Sequence, residues 1–598
     1  MSNFIHTLQQ ASAEAIKSVY ELEVDPSSLP IQETRKDFEG TFTLVVFSLS
    51  RYKLGAPQQI GESIGQWLVE NVAEISGFNV VKGFLNLSLH TTFWQQFLHE
   101  ASTDPGYYKL EIGAGKSVVV EYCSPNTNKP LHLGHLRNIV LGYSLSKILE
   151  ACGYDVHQTC LFNDRGSNIS KSMVAWQQAA LNDSPDSTGK NGDKFVGDYY
   201  VAFANQYKAE VAAMMEEGMD KAAAEKAAPI MKAVHEMTVA WEEGNPEIRG
   251  LWTQMNQWVY DSFEKTFERL GIKFEKYFYE SQVYQRGKES VQEGLDKGIF
   301  YTTEAGSVEV DLEADKLGKK TLLRSNGTSL YITQDLAVAQ DKYDAYQMDK
   351  SIYVVGNEQD HHFKVLFNVL QKLEKPYGEG LFHLSYGMVE LTTGKMKSRE
   401  GTTVEADDLM DDMTETAKAA TLENPDKIQG LNAQELHRLY EILGIGGLKY
   451  FLVKVDPKKR ILFKPEESIQ LQGNTGPFIQ YSYARNQAIK RKAEADQEKY
   501  DPAKELELPL LEEELSVLQL VFRYPEVLGE ACDTNNPALM ANYAYELAKE
   551  YNRFYHEAPI LKCDSPHTRA FRFALSNTAG ETLKQAMELL GISMPDRM

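Results

Sequence analysis

Residues 117–138, SVVVEYCSPNTNKPLHLGHLRN, place an apolar run, a polar loop and the start of a second apolar run in direct succession. The first run is rich in valine, and short apolar runs of this kind are typical of buried strands. The second run continues to residue 153 with IVLGYSLSKILEACG, which has the length of a helix. The stretch therefore predicts a strand that enters a helix through a loop carrying two histidines.

Similar apolar runs recur later in the chain, at VHQTCLF (156–162) and SIYVVGN (351–357). Near-continuous apolar runs suit parallel strands that are buried on both faces, and helical patterns separate them here. We therefore expect a doubly wound parallel sheet within residues 116–410. A long, polar, helix-rich segment at about 175–260 interrupts that rhythm and is interpreted as an insertion.

The flanking regions have different patterns. Residues 1–115 predict a small α+β domain, with strands at FTLVVFSLSRYKL (42–54) and FLNLSLH (84–90) and a helix between them. Residues 411–470 are interpreted as a connecting region, and residues 471–598 as an all-helical bundle. Together these patterns predict a multidomain α/β protein.

Composition limits the class of protein. A hydrophobic content of 42% is ordinary for a soluble protein, and no apolar run reaches the ~18 residues of a membrane span. The start lacks a secretory signal, and the five cysteines show no CxxC or zinc-ligand spacing, so we expect reduced thiols in a cytoplasmic protein.

The net charge of −23 argues against a protein held to nucleic acid by its overall charge. Local basic faces remain possible at KVDPKKRILFK (454–464) and YARNQAIKRK (483–492), although a solvated helix face also explains such clusters.

The histidine loop has the residue types for binding a phosphate. A helix that starts near His135 directs its free N–H groups and the positive end of its dipole at the preceding loop. Gly134 leaves room for close approach, His132 and His135 can donate to one anion, and Lys129 adds positive charge. This combination suits attack on the α-phosphorus of a triphosphate. A zinc pair or two exposed polar residues are the alternatives, and zinc is disfavoured because no partner stands at ligand spacing.

A second candidate element is GMVELTTGKMKSREGTTV, residues 387–404. It follows an apolar strand, and Lys395 and Lys397 could close over a departing pyrophosphate. An exposed basic loop is the alternative reading.

The HLGH and KMKSR stretches, in this order and widely separated, resemble the paired signatures of class I aminoacyl-tRNA synthetases. The wider set resembles arginyl-tRNA synthetases of bacterial type over nearly the whole chain. It comprises EYCSPNTNKPLHLGHLRN, FNDRGSNI, LLRSNGTSLYITQDLA, YVVGNEQDHHFKVLF, GKMKSREG, GNTGPFIQYSYAR and the C-terminal LLGISMPDRM.

The resemblance implies an arginine–tRNA ligase with a Rossmann-like catalytic domain. Such an enzyme forms arginyl-adenylate and pyrophosphate from arginine and ATP, and then transfers arginine to the terminal adenosine of tRNA(Arg). ATP would be accompanied by Mg²⁺, and we expect no structural metal, no membrane contact and a monomer. Residues 1–115 would contact the D-loop side of the tRNA, residues 411–470 would be a linker that contacts its stem, and residues 471–598 would contact the anticodon.

The resemblance also implies the site residues. The arginine contacts would be Glu121, Ser124, Asn126, Tyr331, Asp335 and Gln359. The ATP contacts would be His132, Gly134, His135, Met388, Val389 and Lys395, with Lys129 and Lys397 joining in catalysis. Asn163 and Asp164 match the family's "ND", although a cap or a turn explains them as well.

For Tyr331 and Asp335 the spacing itself is informative, because residues four apart share one face of a helix and a guanidinium needs carboxylate acceptors.

Aromatic and basic residues are interleaved in the C-terminal part, a pattern suited to stacking on single-stranded RNA. The first candidate face comprises Tyr481, Tyr483, Arg485, Lys490 and Arg491. A second comprises Tyr543, Tyr545, Tyr551 and Asn552. Tyrosine packs inside proteins more often than it stacks on bases, so packing is the alternative for each.

The second signature departs from the usual KMSKS, because Ser398 stands where the second lysine is expected. Lys129, three residues before His132, is the predicted replacement, and Lys397 is the alternative.

Two rival functions remain open on the sequence. One is another HxGH enzyme, either a synthetase for a different amino acid or a nucleotidylyltransferase, although the latter lacks a helical RNA-binding tail. The other is a non-catalytic RNA-binding relative, which would not need the histidine loop and Asp335 together.

Overall fold

A parallel five-stranded sheet lies at the centre of the computed structural model, which describes residues 2–35, 37–179, 183–284, 286–327, 329–391, 404–423, 428–493, 499–506 and 508–598. Counts and absences below refer to these residues.

The N-terminal region forms an antiparallel sheet in the order β1-β2-β4-β3, covered by helices. Its elements are α1 (Ser2–Tyr20), β1 (Ile31–Glu33), β2 (Phe42–Val45), α2 (Pro57–Asn71), β3 (Ile75–Val81), β4 (Phe84–Leu89) and α3 (Thr91–Thr103). The strand predicted at 42–54 is wrong beyond Val45, because Val46–Tyr52 forms a 3-10 helix. Val46 and Leu49 are buried three residues apart, the spacing of that helix.

The central sheet has the order β12-β11-β5-β6-β7, with every pairing parallel. Its strands and the helices between them are β5 (Ser117–Glu121), α4 (Leu133–Ala151), β6 (Asp155–Phe162), α5 (Ser167–Ala179), β7 (Lys276–Tyr279), α11 (Glu280–Val283), α12 (Gly287–Asp296), α13 (Tyr331–Tyr346), β11 (Lys350–Gly356), α14 (Asp360–Lys372) and β12 (Leu381–Tyr386). This confirms the predicted doubly wound sheet. The strand order reverses direction between β5 and β11, where Glu121 pairs with Tyr353.

Two additions interrupt the central sheet. The first is helical and comprises α6 (Pro185–Thr188), α7 (Gly192–Glu216), α8 (Lys221–Ala227), α9 (Pro229–Glu242) and α10 (Pro246–Arg269). The second, which the sequence did not predict, is an antiparallel sheet of β8 (Phe300–Thr302), β9 (Val308–Leu312) and β10 (Gly318–Leu323). Its strands are short and carry many charged residues, so they lack the apolar runs that revealed the central strands.

The C-terminal region is mainly helical, as predicted. Its elements, with the last strand before it, are β13 (Val389–Leu391), α15 (Ala406–Leu422), α16 (Ala433–Val453), β14 (Ile461–Phe463), α17 (Pro465–Ser468), α18 (Gly476–Lys492), α19 (Glu512–Asp533), α20 (Ala538–Glu557) and α21 (Pro566–Glu588). The short strand β14 pairs in parallel with β13 and so ties this region to the half of the chain that contains the central sheet.

An aromatic cluster joins the N-terminal sheet to the C-terminal helices. The ring of Phe522, on α19, lies 5.0–6.2 Å from the ring centroids of Phe4, Phe42, Phe93, Trp94 and Phe97, in edge-on arrangements. Edge-on aromatic pairs add to the stabilisation from buried area. Nearby, the hydroxyl of Tyr107 donates to the carbonyl of Val521 at 2.6 Å. The two ends of the chain therefore share one apolar interface.

Two further predictions concern the cysteines and the membrane. All five cysteines are buried free thiols. In the described part of the chain, no helix combines the length and the apolar character needed to cross a bilayer.

We predict that Phe522→Ala weakens the docking of the N-terminal unit by about 3–5 kcal/mol, because the cavity it leaves removes an aromatic ring from five partners. Limited proteolysis within 104–116 should become faster. Phe47→Ala is the matched control, because that ring is 51% exposed in the same unit. Equal cleavage rates in the two variants would contradict the role of the cluster.

Candidate active site

The loop between β5 and α4 opens at the point where the sheet reverses its direction of winding. In doubly wound sheets, ligands bind in the crevice at the carboxyl ends of the strands on either side of this point. Here these ends are Glu121 of β5 and Gly356 of β11. The candidate residues of the histidine loop thus lie where the fold itself opens a cleft.

The loop begins with two consecutive left-handed residues, Cys123 (φ 72°) and Ser124 (φ 42°). Such conformations are uncommon outside glycine and persist only when the surroundings hold them. Asn138 of α4 does so: its Oδ1 accepts from the Cys123 N–H at 2.5 Å, and its Nδ2 donates to the Val354 carbonyl at 2.6 Å. One amide therefore links the loop, α4 and β11.

Asn163 secures the next part of the loop. Its Nδ2 donates to the Ser124 carbonyl at 3.0 Å, and its backbone bonds to Pro125 and Thr127. Asn126 lies opposite it in an isolated parallel bridge.

Asp164 is buried and accepts from the N–H and hydroxyl of Ser281 at 2.8 and 2.7 Å, and from the hydroxyl of Tyr260 at 3.0 Å. Both residues of the "ND" pair therefore hold the structure together, and we assign neither of them a substrate contact.

The two histidines form a reciprocal cap on α4. The Gly134 N–H donates to Nδ1 of His132, and the His132 N–H donates to Nδ1 of His135, both at 3.1 Å. Their rings stack with centroids 3.9 Å apart. Because each Nδ1 accepts a hydrogen bond, a neutral ring must carry its proton on Nε2. Both rings are thus set up to donate from Nε2.

Electrostatics keep the rings neutral. Burial, and then the charge of Lys129, lowers the pKa of His132 to about 4. Burial, with His132 and Lys129, also holds the pKa of His135 well below its usual value. At neutral pH the pair is therefore two neutral hydrogen-bond donors at a helix N-terminus, beside one lysine.

The signature lysines Lys395 and Lys397, and Ser398 with them, lie outside the described residues. The chain on either side of them is described. On the entry side, Met388 is 44% exposed and Val389 is buried. On the exit side, Val404 accepts from the Leu133 N–H at 3.4 Å, and the Ala406 N–H donates to Leu131 at 2.8 Å. Residues 404–406 therefore pair directly with the histidine loop.

Arg137, which the sequence analysis did not single out, organises the entry side. Its buried guanidinium donates to the carbonyls of Gly387, Met388, Pro457 and Lys459. Burial lowers its pKa to about 10, so it stays charged at neutral pH. Arg137 therefore joins α4 to the two residues before β13 and to the basic stretch 454–464. Only its place in the HLRN motif, three residues after Gly134, could have indicated this role.

The residues expected to bind arginine lie on β5, on the histidine loop, on α13 and directly after β11. Asp335, on α13, contacts Nε2 of His362 at 2.5 Å, and this contact raises the pKa of His362. Tyr331, one turn earlier, is 75% exposed. Gln359, at the start of α14, is exposed, and the buried hydroxyl of Ser124 has no hydrogen-bond partner among the described residues. An orphaned hydroxyl of this kind is a natural contact for a polar ligand.

Glu121 already has a partner. Its Oε2 lies 2.6 Å from Nζ of Lys342, which is fully buried and lies 4.0 Å from the ring centroid of Tyr353. Burial opposes the charge on Lys342, but Glu121 and Tyr353 raise its pKa above the usual value. Lys342 thus keeps its charge, and its contact holds Glu121 in place. No feature of the sequence pointed to Lys342, because it reads as an ordinary helix charge.

Further carboxylates make the region beside Asp335 acidic. Burial raises the pKa of Glu280 to about 7, with Arg165 opposing the shift and Asp164 and Asp335 adding to it. A guanidinium entering here would meet Asp335 and Glu280 as acceptors, and its positive charge would favour the ionised form of Glu280.

The C-terminal candidates divide into exposed and buried residues. The guanidinium of Arg485 lies over the rings of Tyr481 (5.0 Å) and Tyr555 (4.5 Å) and donates to Asn552. Lys490 and Arg491 are exposed, and Arg491 also donates to the Asp596 carbonyl at 3.0 Å. The sequence analysis did not single out Tyr555, which is 36% exposed.

The remaining tyrosines pack inside the bundle. Tyr551 is fully buried and its hydroxyl meets that of Ser576 at 3.0 Å. Tyr483 and Tyr543 are also buried, and Tyr545 packs against Phe478. The face expected at Tyr543 and Tyr551 is therefore interior, because helical spacing alone does not distinguish a core tyrosine from a stacking one.

Comparison with known proteins shows which family the chain belongs to. The pattern described as "tRNA synthetases class I (R), catalytic domain" matches residues 99–462, and "DALR anticodon binding domain" matches residues 479–598. The chain is 47% identical over 584 residues to the arginine–tRNA ligase of Bacteroides thetaiotaomicron, covering 98% of both chains. It is 46% identical over 599 residues to that of Porphyromonas gingivalis, covering 100% of both.

Among solved structures, the arginyl-tRNA synthetase of Thermus thermophilus matches with a TM-score of 0.79 at 23% identity, covering 99% of both chains. That of Plasmodium falciparum matches with a TM-score of 0.76 at 19% identity, covering 100% of this chain and 99% of the other. These two matches show the shared fold. The full-length identity to curated relatives, together with the matched catalytic pattern, shows that this chain belongs to the arginyl-tRNA synthetase family.

Proposed function

We propose that the histidine loop and residues 387–404 form the adenylation site of this arginine–tRNA ligase. The observation that carries the proposal is the reciprocal cap, which leaves two neutral Nε2–H donors at the N-terminus of α4. In the first step, a carboxylate oxygen of arginine attacks the α-phosphorus of ATP, and the bond to the bridging oxygen breaks to release pyrophosphate. In the second, a hydroxyl of the terminal adenosine of tRNA attacks the adenylate carbonyl, loses its proton, and AMP leaves.

His132, His135 and Lys129 are the proposed phosphate contacts. Negative charge spreads over the phosphoryl oxygens in the transition state, where preorganised donors are most effective. Gly134 leaves room for the His132 ring in the cap, because a Cβ there would lie 2.9 Å from that ring. We propose that Lys395 and Lys397 act on the leaving pyrophosphate, and that the backbone at Met388 and Val389 meets adenine.

For arginine we propose Asp335 as the main guanidinium acceptor, with Tyr331 closing over it. His362 would have to yield its contact with Asp335 when arginine binds. Ser124, Asn126 and Gln359 would contact the main-chain end of the amino acid. Glu121 would contribute through its oxygen that does not face Lys342.

Mg²⁺ enters this proposal as part of the ATP substrate, since it is commonly held by phosphates and few protein ligands. The described residues contain no group of three or more histidine, cysteine, aspartate or glutamate side chains that could hold a metal, so we propose no protein cage for it.

For the tRNA we propose that the half-buried Tyr481 and Arg485, together with the exposed Tyr555, Lys490 and Arg491, meet the anticodon. Asn552 would orient Arg485. Residues 1–115 would contact the D-loop side of the tRNA, and residues 411–470 would contact its stem. One chain carries every element named, so we propose that the enzyme acts as a monomer, in the cytoplasm.

We predict that Asp335→Asn raises the KM for arginine about 30-fold or more, because removing one partner of a desolvated charge pair costs about 2–5 kcal/mol. The KM for ATP should change little. Steady-state charging of tRNA with arginine measures both. Asp344→Asn, at an exposed carboxylate of the same helix, is the control. An unchanged arginine KM in Asp335→Asn would remove this residue from the pocket.

We predict that Lys129→Ala lowers kcat about 10²- to 10³-fold, the usual loss for one preorganised contact in a transition state. Arginine affinity should be little changed, and adding Ser398→Lys should restore part of the rate. Lys116→Ala, at an exposed position before β5, is the control. If Lys129→Ala is nearly silent while Lys397→Ala is severe, Lys397 supplies the compensating charge.

We predict that His132 and His135 remain neutral Nε2–H tautomers from pH 8 down to pH 5. Their folded pKa values lie below the usual 6.5, so the folded state binds fewer protons than the unfolded state between those values. Their contribution to stability is therefore present above pH 6.5 and is lost as the pH falls toward 4. Imidazole nitrogen NMR on selectively labelled protein measures this, and a titration midpoint near 6.5 for either ring would refute it.

A further inference from the structure

Through the first turns of α7, the helical insertion between β6 and β7 contacts two segments. These are the histidine loop and the residues that follow the second signature, here called the two catalytic segments. Nζ of Lys194 lies 2.7 Å from Oε2 of Glu405 and 3.6 Å from Oδ2 of Asp408. Both side chains of the closer pair are partly buried, 38% and 25% exposed. The insertion therefore contacts the residues that follow the second signature directly.

Glu405 is in turn paired with the first signature. Its backbone forms an antiparallel bridge with His132. The flanking hydrogen bonds, from Ala406 to Leu131 and from Leu133 to Val404, make this a short two-stranded contact. Lys194 therefore forms an ion pair with Glu405, the residue whose backbone pairs with the capping residue His132.

The same helix touches the loop on the other side of His132. Gly197, one turn after Lys194, packs so closely that a Cβ there would lie 2.7 Å from Cδ of Pro130 and 3.5 Å from Cα of Lys129. Only glycine fits without displacing Pro130. The backbone that carries Lys129 thus rests directly on α7.

The insertion is itself braced against movement. Asp193 is buried at the start of α7 and accepts from the hydroxyl of Ser262, on α10, at 2.6 Å. From the same helix, the hydroxyl of Thr266 donates to Asp407 at 3.0 Å, and Asn256 meets Thr127 of the histidine loop. Two helices of the insertion therefore hold the two catalytic segments in a fixed relation.

We infer that the first turns of α7 position the catalytic loops, with Lys194 and Gly197 as the positioning residues for adenylate formation. Neither touches a substrate in this account; Lys194 acts through Glu405 and Gly197 through Pro130. The inference rests on the proposed function of the histidine loop. It gives the insertion a role in the chemical step, because small displacements of catalytic groups are costly in rate.

The test is steady-state charging of tRNA by the full-length chain, together with thermal unfolding. Lys194→Met keeps the apolar stem and removes the charge. A partly exposed ion pair is worth up to about 1 kcal/mol, so kcat should fall about fivefold, with the arginine KM within about twofold. Lys190→Met is the matched control: Lys190 pairs at 2.6 Å with Asp198 of the same helix and is similarly exposed, and this pair includes neither loop's described residues.

The charge-reversed double variant Lys194→Glu/Glu405→Lys distinguishes positioning from folding. Recovery of most of the kcat lost in Lys194→Met, with a thermal midpoint near that of the wild type, supports the inference. No recovery, or equal kcat in Lys194→Met and Lys190→Met, overturns it. A wild-type enzyme that does not charge tRNA with arginine would instead refute the proposed function.

Gly197→Ala tests the second contact independently. Displacing Pro130 should lower kcat about tenfold or more with a small effect on the arginine KM. Gly250→Ala is its control, because a Cβ at that helical glycine meets nothing within 4 Å. Equal kcat in these two variants would remove Gly197 from the positioning role.

Discussion

The reciprocal histidine cap on α4 is the interaction on which the site depends. Each imidazole accepts a backbone N–H through Nδ1, so the cap fixes the tautomer, the ring orientation and the start of the helix at once. Burial keeps both rings uncharged, and the helix N-terminus supplies the positive potential that they lack. A phosphate arriving here meets donors whose geometry is already set, which is the condition for efficient electrostatic catalysis.

That cap works only because other side chains hold its surroundings. Asn138 accepts a hydrogen bond from the left-handed turn before the cap, and Arg137 donates to four backbone carbonyls. The backbone of Glu405, which follows the second signature, pairs with that of His132. The first two come from α4 itself, one turn after the histidines. A single helix start therefore organises segments that are separated by more than two hundred residues of sequence.

Charge is distributed to match the two kinds of substrate. The whole chain carries −23, yet Lys129 stands at the proposed phosphate-binding loop, and Arg485 with Lys490 at the proposed anticodon face. Asp335 and Glu280 lie close enough to interact electrostatically, at the place proposed for the guanidinium. Local placement, and not total charge, thus decides what each surface can bind.

Much of the fold was predictable from two sequence signals. Buried parallel strands appear as short apolar runs, and the glycine between two histidines indicates the start of a helix after a loop. The strands β5, β6 and β11 and the start of α4 were found in this way. The partners of Glu121 and Asp335 were not, because Lys342 and His362 become neighbours only through the packing of α13 and α14 against the sheet.

The RNA face was partly misplaced for a related reason. Tyr551 and Tyr481 have the same helical pattern, and only the packing of α21 shows that the first is interior. The short strands β8–β10 were missed because they lack continuous apolar runs: β9, VEVDL, alternates apolar and charged residues and is only five residues long.

Charging of total tRNA by the purified chain, with each of the twenty amino acids in turn, tests the central claim most directly. The account predicts ATP-dependent formation of aminoacyl-tRNA with arginine alone, with one AMP released per arginine attached. Comparable charging with any other amino acid, or none with arginine, would contradict it.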